Sequence, residues 1–96
     1  MRECVIHGDR IDSLTELHRK LKEDLGFPEW YGGNLDALYD CLTDLPEAAV
    51  TIYHWDALAR TVGDKAEALR QVLTDAGMES RTLTVCILDE DDGDEI

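Results

Sequence analysis

The stretch that organises this chain is residues 27–45, which read FPEWYGGNLDALYDCLTDL. It begins as a loop, because Pro28 disfavours helix at the residue before it and the glycine pair at 32–33 lets the backbone turn freely. Asn34 is a good N-cap, so a helix is predicted to begin directly after it.

The predicted helix has one apolar side. Its leucines recur at spacings of three, four and three residues, which places them on a single buried stripe. This stripe consists of Leu35, Leu38, Leu42 and Leu45. Asp36, Tyr39, Asp40 and Thr43 fall on the other faces and are predicted to point toward solvent.

The polar side of this helix carries a feature that stability does not explain. Asp36 and Asp40 are four residues apart, and a like-charge pair at this spacing costs about 0.2–0.5 kcal/mol. Asp36 gains from the helix N-terminus, but Asp40 lies a turn further in, where the dipole has faded. This acidic face, with Trp30, Tyr31 and Tyr39 around it, predicts a docking site for a positive partner. The alternative is an ordinary solvated helix face. Of the three aromatic residues, Tyr31 is the one expected to pack inward.

The same stretch resembles the barstar family, the intracellular inhibitors of a secreted bacterial ribonuclease. Residues 28–42 follow the family pattern P-x-[WY]-Y-G-x-N-L-D-A-L-x-D-x-L, which is long and contiguous. The likeness extends from the first apolar run, at Val5-Ile6-His7-Gly8, to the last, and covers about residues 3–88.

The resemblance implies a mode of action in which the second helix and its preceding loop insert into the ribonuclease active site. Carried over to this chain, the contacts are Trp30, Asn34, Asp36, Tyr39, Asp40, Thr43 and Asp75. Asp40 matches the carboxylate that fills the phosphate position of the enzyme. Trp30 stands where barstar has Tyr, Tyr39 where it has Trp, and Asp75 where it has Glu. Asp44 and Leu45 replace a Gly and a Trp, and Asp44 is predicted to tune target choice.

Composition and charge limit the number of domains and the kinds of partner that are possible. A chain of 96 residues makes one domain, and its net charge of −13 is extreme for that size. No Lys or Arg occurs between Lys22 and Arg60. Such a surface favours a cationic partner and argues against nucleic acid or an anionic membrane. With no signal peptide and no apolar run of membrane-spanning length, the chain is expected to be cytoplasmic.

No cofactor or metal site is predicted. The three cysteines and three histidines lack metal-ligand spacing. Free, mostly buried thiols in a reducing cytoplasm are expected for Cys4, Cys41 and Cys86. Residues 89–96 lack the full calcium-loop pattern and are predicted to form an acidic, disordered tail.

The rest of the chain predicts an α/β fold. Apolar runs at residues 3–7, 48–54 and 82–88 indicate strands, and helical patterns separate them. Ser13 and Glu16 form a capping box, Gly26 suits a helix end, Asp64 is predicted to cap the last helix and Gly77 to end it. We therefore expect a three-stranded parallel sheet with about four helices, barstar-like, in a domain of residues 1–88.

Two functions are compatible with the residues, and neither is enzymatic, since no catalytic motif is present. The first is a protein inhibitor of a basic, barnase-like bacterial ribonuclease, monomeric when free. The alternative is an acidic immunity or interaction module whose basic partner is not a ribonuclease.

Overall fold

The computed structural model describes residues 2–89. The chain contains three strands and four α-helices, with two helices between successive strands. Short 3₁₀ turns lie at Gly8–Arg10 and Gly63–Lys65. The strands are β1 (Arg2–His7), β2 (Ala48–Tyr53) and β3 (Leu83–Ile87). The helices are α1 (Leu14–Leu25), α2 (Leu35–Thr43), α3 (Trp55–Val62) and α4 (Ala66–Glu79). The predicted acidic tail lies outside the described residues, apart from Asp89.

The sheet is parallel throughout, with the strands in the order β1-β2-β3. Cys4 pairs with Val50, and Val50 in turn pairs with Val85. Two helices connect each pair of neighbouring strands, as parallel pairing requires a long crossover. The predicted α/β fold with a three-stranded parallel sheet and four helices is confirmed.

One face of the sheet carries the core. Along β1, Cys4 and Ile6 are fully buried, whereas Val5 between them is 40% exposed. The strand predicted for residues 3–7 is therefore covered on one face only, because every second side chain is buried. Cys86 on β3 is exposed on the same open face, which corrects the expectation for this thiol, while Cys4 and Cys41 are buried as free thiols.

Local capping signals determine where α1 begins and ends. The Ser13 hydroxyl accepts a hydrogen bond from the backbone N–H of Glu16 at 3.1 Å. The Glu16 carboxylate accepts a hydrogen bond from the N–H of Asp12 at 2.7 Å, one residue before the position expected of a capping box. At the other end Gly26 adopts φ = 72°, the left-handed cap predicted for it.

Helix α2 is held by its apolar side. Leu38 and Leu42 are fully buried, Leu45 is 9% exposed, and Leu35 at the first turn is half-buried. Cys41 adds a further buried side chain to this surface, which packs against α4. Burying each large side chain is worth about 1.5–3 kcal/mol, so α2 is firmly anchored on the core.

Two sequence predictions for α4 are wrong. Asp64 lies in the 3₁₀ turn, and the helix begins at Ala66 with no side-chain cap. Gly77 does not end the helix, which continues to Glu79. Gly77 instead sits against β3, where an added Cβ would approach Val85 Cγ2 at 3.2 Å, so its small size serves close packing of helix and strand.

Candidate acidic binding surface

The loop before α2 sorts its aromatic residues to opposite sides. The N–H of Tyr31 bonds the carbonyl of Pro28 at 3.0 Å, which closes a turn. Tyr31 is 7% exposed and contacts Phe27 edge to face, with ring centroids 4.9 Å apart. Trp30, by contrast, is 65% exposed. The prediction that Tyr31 packs inward is confirmed. Trp30, the residue before it, lies on the surface.

A buried polar pair anchors this loop to α1. His18 is 6% exposed, and its Nδ1 lies 2.5 Å from the Tyr31 hydroxyl. Burial lowers the pKa of His18, because desolvation disfavours the imidazolium, and it raises the pKa of Tyr31. A buried Tyr hydroxyl needs a hydrogen-bond partner, and the neutral imidazole supplies one.

Sequence reasoning missed the role of His18, although a signal existed. His18 lies four residues after Leu14 and three before Leu21, so it shares the inward side of α1. A polar residue at such a position needs a partner from elsewhere in the fold.

Three aspartates follow one another along the exposed side of α2. Asp36, Asp40 and Asp44 are each four residues apart, and all three are exposed. Asn34 precedes them as the N-cap, and its side-chain oxygen accepts the N–H of Ala37 at 2.8 Å. This hydrogen bond fixes where the helix begins, and thereby which side of it the carboxylates occupy.

In the part of the chain that the structure describes, no basic side chain forms an ion pair with these carboxylates. Within residues 2–89, the ion pairs are Lys20–Asp24 at 3.0 Å and Arg70–Asp89 at 4.0 Å, and neither involves α2. The negative field reaches the neighbouring thiol: burial raises the pKa of Cys41, and the charges of Asp40 and Asp44 raise it further. The three aspartates therefore form an exposed group of like charges.

The remaining predicted site residues lie on α2 and α4. Tyr39 is half-buried and packs against the core. Thr43 is also half-buried, and its hydroxyl donates to the carbonyls of Tyr39 and Asp40 at 3.0 and 3.2 Å. Asp75 is exposed on α4, where it accepts a bond from Gln71 Nε2 at 2.9 Å. Helix α4 packs on α2, so Asp75 is carried by an element that contacts the acidic helix.

Neither a metal-binding group of side chains nor a membrane-spanning helix is found among residues 2–89. Among residues 2–89, no group of three or more His, Cys, Asp or Glu side chains is arranged to hold a metal ion. No helix there has the length and apolarity needed to cross a bilayer.

Fold and surface together define a class, namely small α/β proteins that display an acidic helix next to a three-stranded parallel sheet. Residues 1–89 match the family model described as Barstar (barnase inhibitor). The chain belongs to the barstar family.

A relative in Bacillus subtilis (strain 168) carries the description "Putative ribonuclease inhibitor YrdF". It is 38% identical to this chain over 82 residues, which cover 82% of this chain and 89% of that protein.

Proposed function

We propose that this protein inhibits a basic, barnase-like bacterial ribonuclease by inserting α2 and the loop before it into the cationic active site. One observation carries the proposal: Asp36, Asp40 and Asp44 form an exposed row, with no basic partner among residues 2–89, along a helix and its C-cap that buried leucines anchor. The family description and the name of the Bacillus subtilis relative support ribonuclease inhibition.

Asp40 is the residue we assign to the phosphate position. A ribonuclease must hold an anionic phosphodiester, so its active site presents cationic side chains. A carboxylate that replaces the phosphate there makes charge-assisted hydrogen bonds in a desolvated site. Because α2 is already folded and anchored, little ordering entropy is lost on binding.

The flanking residues complete the contact surface. Trp30 supplies an exposed aromatic side chain at one end, where large rings commonly dominate binding energy. Asn34, Asp36, Tyr39, Thr43 and Asp75 are the further residues that we propose contact the enzyme. In this proposal the protein is a non-catalytic, monomeric immunity protein of the bacterial cytoplasm, which keeps its own cell safe from the ribonuclease.

Asp40→Ala tests the central role. We expect a loss of at least about 2 kcal/mol of binding free energy, the threshold of a hot spot, which raises the inhibitor's Kd at least about 30-fold. The free energy of unfolding should stay the same or rise by about 0.2–0.5 kcal/mol for each like-charge pair that is removed, since Asp40 lies four residues from both Asp36 and Asp44. Titration of ribonuclease activity and urea unfolding measure the two effects.

Asp56→Ala is the matched control, since Asp56 is also exposed and lies on α3. It should leave the Kd close to that of the unmodified chain. Equal inhibition by Asp40→Ala and the unmodified chain would refute the role of Asp40. Tight binding to a basic protein without loss of any ribonuclease activity would favour the acidic interaction module instead.

Salt dependence tests the electrostatic part. The association rate should fall as ionic strength rises, because salt screens steering between the acidic surface and a basic enzyme. Stopped-flow measurements over a salt series would show this, and a flat profile would contradict it.

Asp44→Gly tests target choice. Removing this carboxylate should change the order in which several ribonucleases are inhibited, because the charge lies at the end of the row. The same ranking before and after the exchange would show that Asp44 has no part in selectivity.

A further inference from the structure

A small depression separates α1 from the loop before α2. It has a volume of about 250 Å³ and lies between one face of α1 and the residues that immediately precede Asn34. We call it the basic notch, because it is lined by Thr15, His18, Arg19, Lys22, Tyr31, Gly32 and Gly33. The α1 members share a face, since they recur at spacings of three, one and three residues.

The charge of the notch is opposite to that of the molecule. Its lining contains two cations and no carboxylate, in a chain with 22 acidic and 9 basic residues. Neither Arg19 nor Lys22 enters an ion pair within residues 2–89, whereas their neighbour Lys20 is paired with Asp24 at 3.0 Å. The two cations are therefore available to an anion from outside.

The notch is also well supported. Its floor is the buried His18–Tyr31 pair, joined through Nδ1 and the hydroxyl. The carbonyl of Lys22 accepts the N–H groups of Gly26 and Phe27 at 2.9 and 3.0 Å, which ties the end of α1 to the start of the loop. The two cations are thus carried by an element fixed to the loop that presents Trp30.

The size and position of the basic notch indicate what it binds. A volume of about 250 Å³ is below the roughly 300–1,000 Å³ usual for small-molecule sites, but it admits a single side chain. The notch adjoins the loop before α2, so a protein bound over α2 and that loop lies over the notch as well. Its anion would then be a carboxylate, which a guanidinium binds with two parallel hydrogen bonds.

We propose, resting on the function proposed above, that the basic notch receives an Asp or Glu side chain from the rim of the ribonuclease active site. The two proteins would then make two contacts of opposite charge. The acidic α2 lies in the cationic cleft, and Arg19 and Lys22 bind a carboxylate of the enzyme. A row of like charges alone can shift along a cationic groove, whereas an opposite charge at one end fixes register and orientation.

The test uses barnase as the probe and measures association and dissociation rates for Arg19→Gln/Lys22→Gln. Each exposed ion pair lost should speed dissociation about 1.4- to 5-fold, so the double variant should dissociate at least about twofold faster. Long-range electrostatic attraction alone predicts tighter binding by this variant, because the variant is more acidic than the unmodified chain and the enzyme is basic.

Arg10→Gln/Arg60→Gln is the matched control. It makes the same change in net charge, and both residues are exposed and lie outside the notch, on the turn after β1 and on α3. Its dissociation rate should equal that of the unmodified chain, and its association rate should be equal or higher.

The outcomes separate the two proposals. Faster dissociation of the notch variant alone supports the notch. If the notch variant and the control dissociate at the same rate as the unmodified chain, the notch proposal fails while inhibition stands. If the unmodified chain leaves barnase fully active, both proposals fail for this class of enzyme.

Discussion

Gly33→Ala measures how strongly the loop before α2 depends on its backbone conformation. Gly33 has φ = 73°, a region that costs an L-residue with a Cβ about 1–2 kcal/mol. An added Cβ would lie 3.7 Å from His18 Cβ, an ordinary contact, so no steric cost adds to the strain. Stiffening of the unfolded chain returns about 0.4–1 kcal/mol. The net expectation is a loss of about 1 kcal/mol in the free energy of unfolding.

Gly32→Ala is the control that the chain itself offers. Gly32 does not have a positive φ, and its added Cβ would meet only Asn34 Nδ2, at 3.6 Å. This variant should be as stable as the unmodified chain or gain about 0.4–1 kcal/mol from the unfolded state. Gly33→Asn should lose less than Gly33→Ala, because Asn tolerates left-handed backbone better.

Urea unfolding followed by far-UV circular dichroism gives the three free energies under one condition. The change should appear in the midpoint and leave the m-value unaltered, since the surface exposed on unfolding is the same. If Gly33→Ala and Gly32→Ala proved equally stable, the left-handed backbone at Gly33 would not be the constraint that holds the loop.

Three further measurements address the anchoring of the same surface. The stability that the lowered pKa of His18 governs should be complete above about pH 6.5, the ordinary pKa of His, and should be lost as the pH falls below it toward the lowered pKa of folded His18, because the unfolded chain takes up that proton more readily. His18→Gln should flatten this part of a pH series of urea unfolding curves, and an unchanged slope would contradict the assignment. Asn34→Ala should cost about 1 kcal/mol in the same assay through loss of the cap on Ala37 N–H, and an unaltered midpoint would count against that bond. Leu38→Ala should cost about 2.7–5 kcal/mol because its side chain is fully buried, and a loss below about 1 kcal/mol would mean that α2 is only loosely packed.

Sequence reasoning worked where the physics is local. Ser13, Gly26 and Asn34 are capping residues whose hydrogen bonds or backbone angles involve only their own helix, and all three are found as predicted. It failed at Asp64, which lies in a 3₁₀ turn, and at Gly77, which packs against a strand that follows the helix. The last helix continues through Gly77 because its packing against Val85 outweighs the low helix propensity of glycine.

Prediction from the sequence has similar limits at the sheet and at the acidic binding surface. A run as short as Cys4-Val5-Ile6 cannot reveal whether one face or both are covered, so the exposure of Val5 was not foreseen. The pairing of His18 with Tyr31 joins residues 13 positions apart and depends on how the loop folds back on α1. The acidic row, in contrast, could be predicted, because residues four apart share a helix face whatever the rest of the fold does.

The treatment of charge differs between α1 and α2, and this difference argues that the acidic row serves binding. On α1, Lys20 and Asp24 stand four residues apart and pair at 3.0 Å, which is how a solvated helix gains a few tenths of a kcal/mol. On α2 the same spacing joins Asp36 to Asp40 and costs a similar amount. Selection for stability alone would favour a base at one of these positions, since the opposite side of α2 already fixes the helix. A partner whose cations the row binds would repay that cost.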